Sequence, residues 1–151
     1  MPANLEFKQK LLQFCLSMKQ ESESNILVAM DEAQQSANDY GAPRDRYDSF
    51  RAQLMRKRDM LAQQLAVVQE ELRHIRQVKS NSLQTEIGPG TLVVLDKQTL
   101  FILVGIGKIT VDDQVVYVVS PVVPLVAAMK NLKKGNSFTF NGNTFTIQEI
   151  C

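Results

Sequence analysis

YDSFRAQLMRKRDMLAQQLAVVQEELRHIRQVK, residues 47–79, sets Tyr47, Leu54, Leu61, Val68 and Ile75 seven positions apart, with Leu65 and Leu72 at the alternate seam position. Apolar residues at this interval form one stripe along an α-helix, the pattern of a coiled-coil seam. Pro43 stands at or before the first turn, where a missing N–H costs nothing. A helix from there to Lys79 would be roughly 50 Å long at the usual rise per residue.

A second stripe precedes it. Leu5, Leu12, Ile26 and Ala33 fall at intervals of seven or fourteen, Leu16, Met30 and Ala37 lie four residues after members of that series, and Cys15 and Ala29 three after. The stripe lapses at Lys19–Asn25, either as a polar stretch of one continuous helix or as a break; the register resumes in phase at Ile26, which predicts continuity. Gly41-Ala42-Pro43 between the stripes reads as a turn, so the arms are expected to run antiparallel. Their charges also differ. Residues 5–39 hold three Lys and six acidic residues, and residues 43–80 hold nine Lys/Arg and five acidic residues, so the arms should attract when folded back on each other. The expectation is an antiparallel coiled-coil hairpin over residues 1–82, a projecting finger with its tip at about 38–44.

From Ile87 onward the pattern changes to β. Short apolar runs at Thr91–Leu95, Thr99–Val104, Lys108–Val111 and Val115–Val119 are punctuated by Asp96-Lys97, Gly105-Ile106-Gly107 and Asp112-Asp113. Only Leu125, Ala128, Met129 and Leu132 have helical spacing there, after Pro121 and Pro124, and this face should be core. Phe138–Phe140 and Thr144–Ile150 flank Asn141-Gly142, a strong short-range hairpin signal. Residues 86–151 are thus expected to form an antiparallel sheet with one short helix, and the fold class is α+β. The polar stretch Ser80–Thr85 reads as the linker.

Composition limits function. The 151 residues are 44% hydrophobic and 22% charged, enough to bury a core in one domain or two small ones, and a net charge of +1 gives no global reason to bind nucleic acid or membrane. Cys15 and Cys151 stand at opposite ends without metal-ligand spacing, as in a reducing compartment. Glu6, Lys8 and Lys10 exclude a signal-peptide pattern, and Asp96-Lys97-Gln98 interrupts the longest apolar run, so a cytoplasmic chain without a membrane span is expected. His74 is the single histidine and has no ligand spacing around it, so it reads as a surface helix residue. Gly105-Ile106-Gly107-Lys108 lacks the full phosphate-loop spacing and lies between strands, which makes it a bend or bulge. No Ser/His/Asp or Cys/His set can be assembled, so an autonomous enzyme is not expected.

Several stretches resemble the Gre-type bacterial transcript cleavage factors. Ser120-Pro121, Pro124-Leu125, Ala128-Met129 and Lys133-Lys134-Gly135 look like the "S-P-x-x-P-L-x-x-A-L-x-x-K-x-G-D" stretch of that family's C-terminal domain. Glu32-Ala33, a polar tip, then Arg46-Tyr47-Asp48 and Arg51 is similar to the run around the tip of the Gre coiled coil. The resemblance implies a second domain with an FK506-binding-protein-like fold, docked at the mouth of the RNA polymerase secondary channel. It also implies a coiled coil directed at the polymerase active site, near the nascent RNA. In the family, acidic tip residues help to hold the second Mg2+ and a water, and the polymerase performs the cleavage. By this resemblance the chain has no cofactor of its own and meets Mg2+ only within a polymerase complex through Asp39 and Asp45; separately, a hairpin that satisfies both seams within one chain is expected to be a monomer. The implied partner-binding residues are Arg44, Arg46, Tyr47, Asp48 and Arg51 near the tip, and Ser120, Pro121, Pro124, Lys130 and Lys133 in the second domain, with Val122 and Val123 beside them.

The tip departs from the family's "G-D-L-K-E-N". Here Ser36–Asp45 is longer, and Asp39 and Asp45 are six apart with Arg44 and Arg46 flanking the second. The two carboxylates are either convergent metal contacts or ordinary cap and turn acids. The basic segment Arg44, Arg46, Arg51, Arg56, Lys57 and Arg58 likewise has two readings: a surface for nucleic acid or an acidic channel, or a face paired with Asp31 and Glu32. Tyr40, Tyr47 and Phe50 read as tip packing. A different function class, a coiled-coil scaffold without a polymerase role, would leave an apolar stripe for a second chain.

Overall fold

The computed structural model describes residues 4–39, 49–79 and 83–151. Nine elements follow in order: α1 (Leu5–Asp39), α2 (Ser49–Gln77), β1 (Leu92–Leu95), β2 (Thr99–Ile102), β3 (Gly107–Val111), β4 (Gln114–Val119), α3 (Pro124–Met129), β5 (Ser137–Phe140) and β6 (Asn143–Ile150). The class is α+β. By internal contacts the chain divides into two compact units, Ser17–Arg73 and the remaining residues on either side of it.

In the unit Ser17–Arg73 the helices pair antiparallel. Arg51 meets the Ala37 carbonyl, and Lys19 meets Glu71, so the order of contacts along α2 is the reverse of that along α1. Ala33, Ala37, Val68 and Leu72 are buried between them. Leu54, Leu61 and Leu65 are half-buried, on the seven-residue stripe. α1 is continuous through Lys19–Asn25, as the resumed register predicts.

The other unit is built on a six-stranded sheet in the order β3-β4-β2-β1-β6-β5. β1 and β2 are buried at every position, because both sheet faces are covered there. One face carries Leu92, Phe101, Ile109, Val116 and Val118 beneath Phe7, Leu11, Leu12, Cys15 and Ile75. The other carries Val93, Leu95, Leu100, Ile102, Phe145 and Ile147 beneath Val126 and Met129 of α3.

The six-residue α3 covers a single sheet face, and the first turns of α1 and the end of α2 supply the apolar side chains the second face requires. Leu12 and Cys15 therefore cover a sheet face as well as lying on the α1 stripe. The sheet is mixed, not purely antiparallel, because β2 and β4 pair parallel. The chain leaves β2 through Leu103–Ile106, runs out to the edge as β3 and returns as β4 beside β2. On α3 the buried positions are Val126 and Met129, while Leu125 and Leu132 are half-buried and the helix ends at Met129; Asn131, at φ 66°, turns the chain away.

Two turns follow their sequence chemistry. Asn141 and Gly142, at φ 50° and 80°, close the β5–β6 hairpin, and Asp112 and Asp113, at 52° and 61°, close β3–β4. Both residues at positive φ is the geometry that matches the twist of paired strands.

Candidate functional site

The helix N-cap region of α3 is positioned by its own polar chemistry. Ser120 Oγ accepts the Val122 N–H at 3.3 Å, and the Ser120 carbonyl accepts that of Val123 at 3.3 Å. Pro124 opens α3, where its missing N–H leaves no bond unmade. The tight turn between Pro121 and Pro124 lifts Val122 into solvent, 87% exposed, while Val123 packs on the sheet. Lys130 caps the C-terminal end of α3 through its backbone, and its ammonium group is exposed. Lys133 donates its N–H to Asn136 Oδ1 at 2.7 Å and also exposes its side chain. Ser120, Pro121, Val122, Pro124, Lys130 and Lys133 therefore belong to one short segment folded around α3, with an exposed apolar residue before the helix and lysines after it.

At the other set of expected residues, Asp39 is the exposed last residue of α1. Arg51, half-buried, donates from Nη2 to the Ala37 carbonyl at 3.1 Å, which satisfies one of the acceptors left open at a helix C-terminus. Arg44, Asp45, Arg46, Tyr47 and Asp48 lie outside the described residues, as does Tyr40. Among the described residues no group of three or more His, Cys, Asp or Glu could hold a metal ion.

Of the basic segment, Arg56 and Lys57 are exposed, and Arg58 lies 3.8 Å from its neighbour Asp59. Among the described residues Arg56, Lys57 and Arg58 form no ion pair with Asp31 or Glu32. The cross-helix ion pair has the opposite sense: Lys19 of the acidic arm sits 3.0 Å from Glu71 of the basic arm, both side chains largely buried. Beside it a groove of about 500 Å³ is lined by Ser22, Asn25, Ile26, Gln64, Val67 and Val68.

Sequence reasoning did not find several polar contacts in the sheet unit. Lys8 is wholly buried, and its Nζ donates to the Cys151 carbonyl at 3.2 Å. Burial pushes the Lys8 ammonium below its ordinary range, opposed by the Cys151 side chain. Burial likewise pushes the Cys151 thiol up, with Lys8 acting against it. Neither Cys15 nor Cys151 is in a disulfide, and both are buried. Lys10 binds Asp112 at 2.8 Å, a contact that raises the lysine above its usual range. Thr91, also buried, gathers the loop before β1: its hydroxyl is 2.5 Å from Gln84 Oε1 and accepts the Gly88 N–H at 3.2 Å. A lysine at a stripe-compatible position was the available signal for the buried Lys8 and the half-buried Lys19.

No family model matches the sequence, and no curated protein matches it. Among solved structures the chain is similar to the crystal structure of GreA factor homolog 1 (Gfh1) protein of Thermus thermophilus, at 14% identity over 95% of this chain and 94% of that one, with a TM-score of 0.35. That superposition is too loose to transfer residue roles. No described helix is long and apolar enough to cross a membrane.

Proposed function

We propose that this chain is a Gre-like transcription factor that binds RNA polymerase at its secondary channel and modulates elongation. The observation that carries the reading is the combination of an antiparallel helix pair with a sheet unit whose Ser120-Pro121 and Pro124-Leu125 segment opens α3 just before a final hairpin. Those are the elements and the order that the sequence resemblance implies. On this reading the segment around Val122, Lys130 and Lys133 contacts the polymerase surface. Arg51 and the basic residues before it face the acidic channel, near the nascent RNA.

Asp39 ends α1 and Asp45 follows six positions later in the sequence, and these two carboxylates are the residues we assign to contact with the polymerase's weakly held Mg2+. That ion would stabilise the attacking and leaving oxygens in the polymerase's own reaction. The chain itself is proposed to be a monomeric accessory factor, not an enzyme, with a cytoplasmic site of action.

The deciding experiment is capture of core RNA polymerase by the full chain, followed by cleavage of RNA in a stalled, backtracked complex. Binding, together with cleavage that is lost in an Asp39→Ala/Asp45→Ala variant, is the expected result. Binding without stimulated cleavage restricts the role to regulation. Failure to bind polymerase removes the proposal.

One feature of the helix pair favours a scaffold instead. Met60 and Val67, seven apart on α2, are 53% and 61% exposed, and Val67 lines the groove beside Ile26. A second chain would cover such a stripe. Solution mass that doubles with concentration, and returns to that of one chain in Met60→Lys/Val67→Lys, would establish that alternative.

A further inference from the structure

Strand β5 ends the sheet, and among the described residues no strand pairs with its outer edge. Phe140 pairs with Asn143 across the two-residue turn, and Asn136 accepts the Ile147 N–H at 2.8 Å. Hydrogen-bonded pairs alternate along an antiparallel ladder, so residues 136, 138 and 140 address β6, whereas Ser137 and Thr139 direct their N–H and C=O groups away from the sheet. Both residues are exposed.

Exposed edges are usually blunted by charge, proline or a kink. The opposite edge, β3, has such devices in Lys108 and in Gly107 at φ 99°. The hairpin Gly135–Gln148 contains no charged residue and no proline, so β5 is protected by its shortness alone.

We propose that the β5 edge takes up an extended peptide segment of another protein as a seventh strand, with acidic residues where that segment passes Lys130, Lys133 and Lys134. α3 packs beside β5, and Leu132, Phe138 and Phe140 are only partly buried around it. Alternate side chains of an added strand would extend this apolar surface, and the others would lie next to the hydroxyl pairs Ser137/Thr146 and Thr139/Thr144. The charge requirement comes from the three lysines, which are exposed and form no ion pair among the described residues. A second copy pairing through β5 would leave both lysine clusters uncompensated. The inference does not depend on the polymerase reading.

The probe is a short fluorescein-labelled peptide of alternating Val and Thr with a run of Glu at one end, compared with the same peptide carrying Lys there, each titrated against the full chain. The Glu peptide is expected to bind saturably and more tightly. Thr139→Pro removes one outward N–H without touching the β6 ladder, and should weaken binding by about tenfold. Lys133→Glu/Lys134→Glu should reverse the preference between the two peptides. In the unaltered protein, bound peptide should slow amide exchange at Ser137 and Thr139, a readout that stands even where Thr139→Pro fails to fold. Absence of saturable binding overturns the proposal, as does binding indifferent to the charge reversal with no protection at these amides. Self-association of the protein that Thr139→Pro abolishes would assign the edge to a second copy instead.

Discussion

Lys19 Nζ lies 3.0 Å from Glu71 Oε1, joining α1 to α2 where the apolar stripe of α1 lapses. The side chains retain 16% and 20% of their exposure, so the pair is shielded enough to gain from its attraction and costly to break from one side. A polar gap in the seam thus holds a cross-helix charge pair, and α1 runs through it without a break.

Removing either partner strands a poorly hydrated charge. Lys19→Met or Glu71→Leu alone should lower unfolding free energy by about 1–3 kcal/mol, and the double change should recover most of it. Chemical denaturation in a double-mutant cycle measures this. Strictly additive losses would contradict the pairing.

The register of the helix pair makes a contrast between neighbours on α2. Leu72 is fully buried, and Leu72→Ala should cost about 2–5 kcal/mol, whereas Val67→Ala on the exposed side should change stability by less than about 0.5 kcal/mol. Similar losses at both positions would place the seam elsewhere.

Gly90 adopts φ 83°, and a Cβ there would meet Val78 Cγ1 at 2.9 Å, at the end of α2. Gly90→Ala should therefore cost about 1–3 kcal/mol from strain and overlap together. Adding Val78→Ala relieves the overlap but not the left-handed backbone, so the melting temperature should recover only in part. Full recovery would remove the conformational component.

Lys8 and Cys151 give opposite pH dependences. The folded state lowers the Lys8 pKa below 10.5, so between that depressed value and 10.5 the unfolded chain binds more protons and stability rises with pH. The folded state raises the Cys151 pKa above 9.0, so above 9.0 the unfolded chain releases a proton that the folded one keeps, and stability falls. Denaturant titrations across this range should show the rising component lost in Lys8→Met and the falling component lost in Cys151→Ala. Identical profiles in all three proteins would refute the assignment.

Much of this fold was legible along the chain. Leu54, Leu61, Val68 and Ile75 mark a helix because a period near 3.6 leaves one apolar stripe whatever it packs against. Asn141-Gly142 marks a hairpin because few residues accept two successive positive φ angles. The Pro121 to Pro124 segment was legible for the same local reason, and it brings together most of the expected contact residues of the sheet unit. The carboxylates and arginines expected at the tip were legible only as residue types.

What the sequence by itself determined was the set of elements and their order, since helix stripes, strand runs and turn residues act over a few neighbours. Only the tertiary structure decided what each stripe covers. Phe7, Leu11, Cys15 and Ile75 carry the same helical signal as Ala33, Ala37 and Leu72, yet the first group covers a sheet face and the second lies between α1 and α2. The parallel pairing of β2 with β4, the burial of Lys8 and the Lys19 to Glu71 bridge have the same origin. Apolar burial is non-directional, so a stripe specifies that it must be covered; the partner is chosen by which surfaces the rest of the chain leaves open.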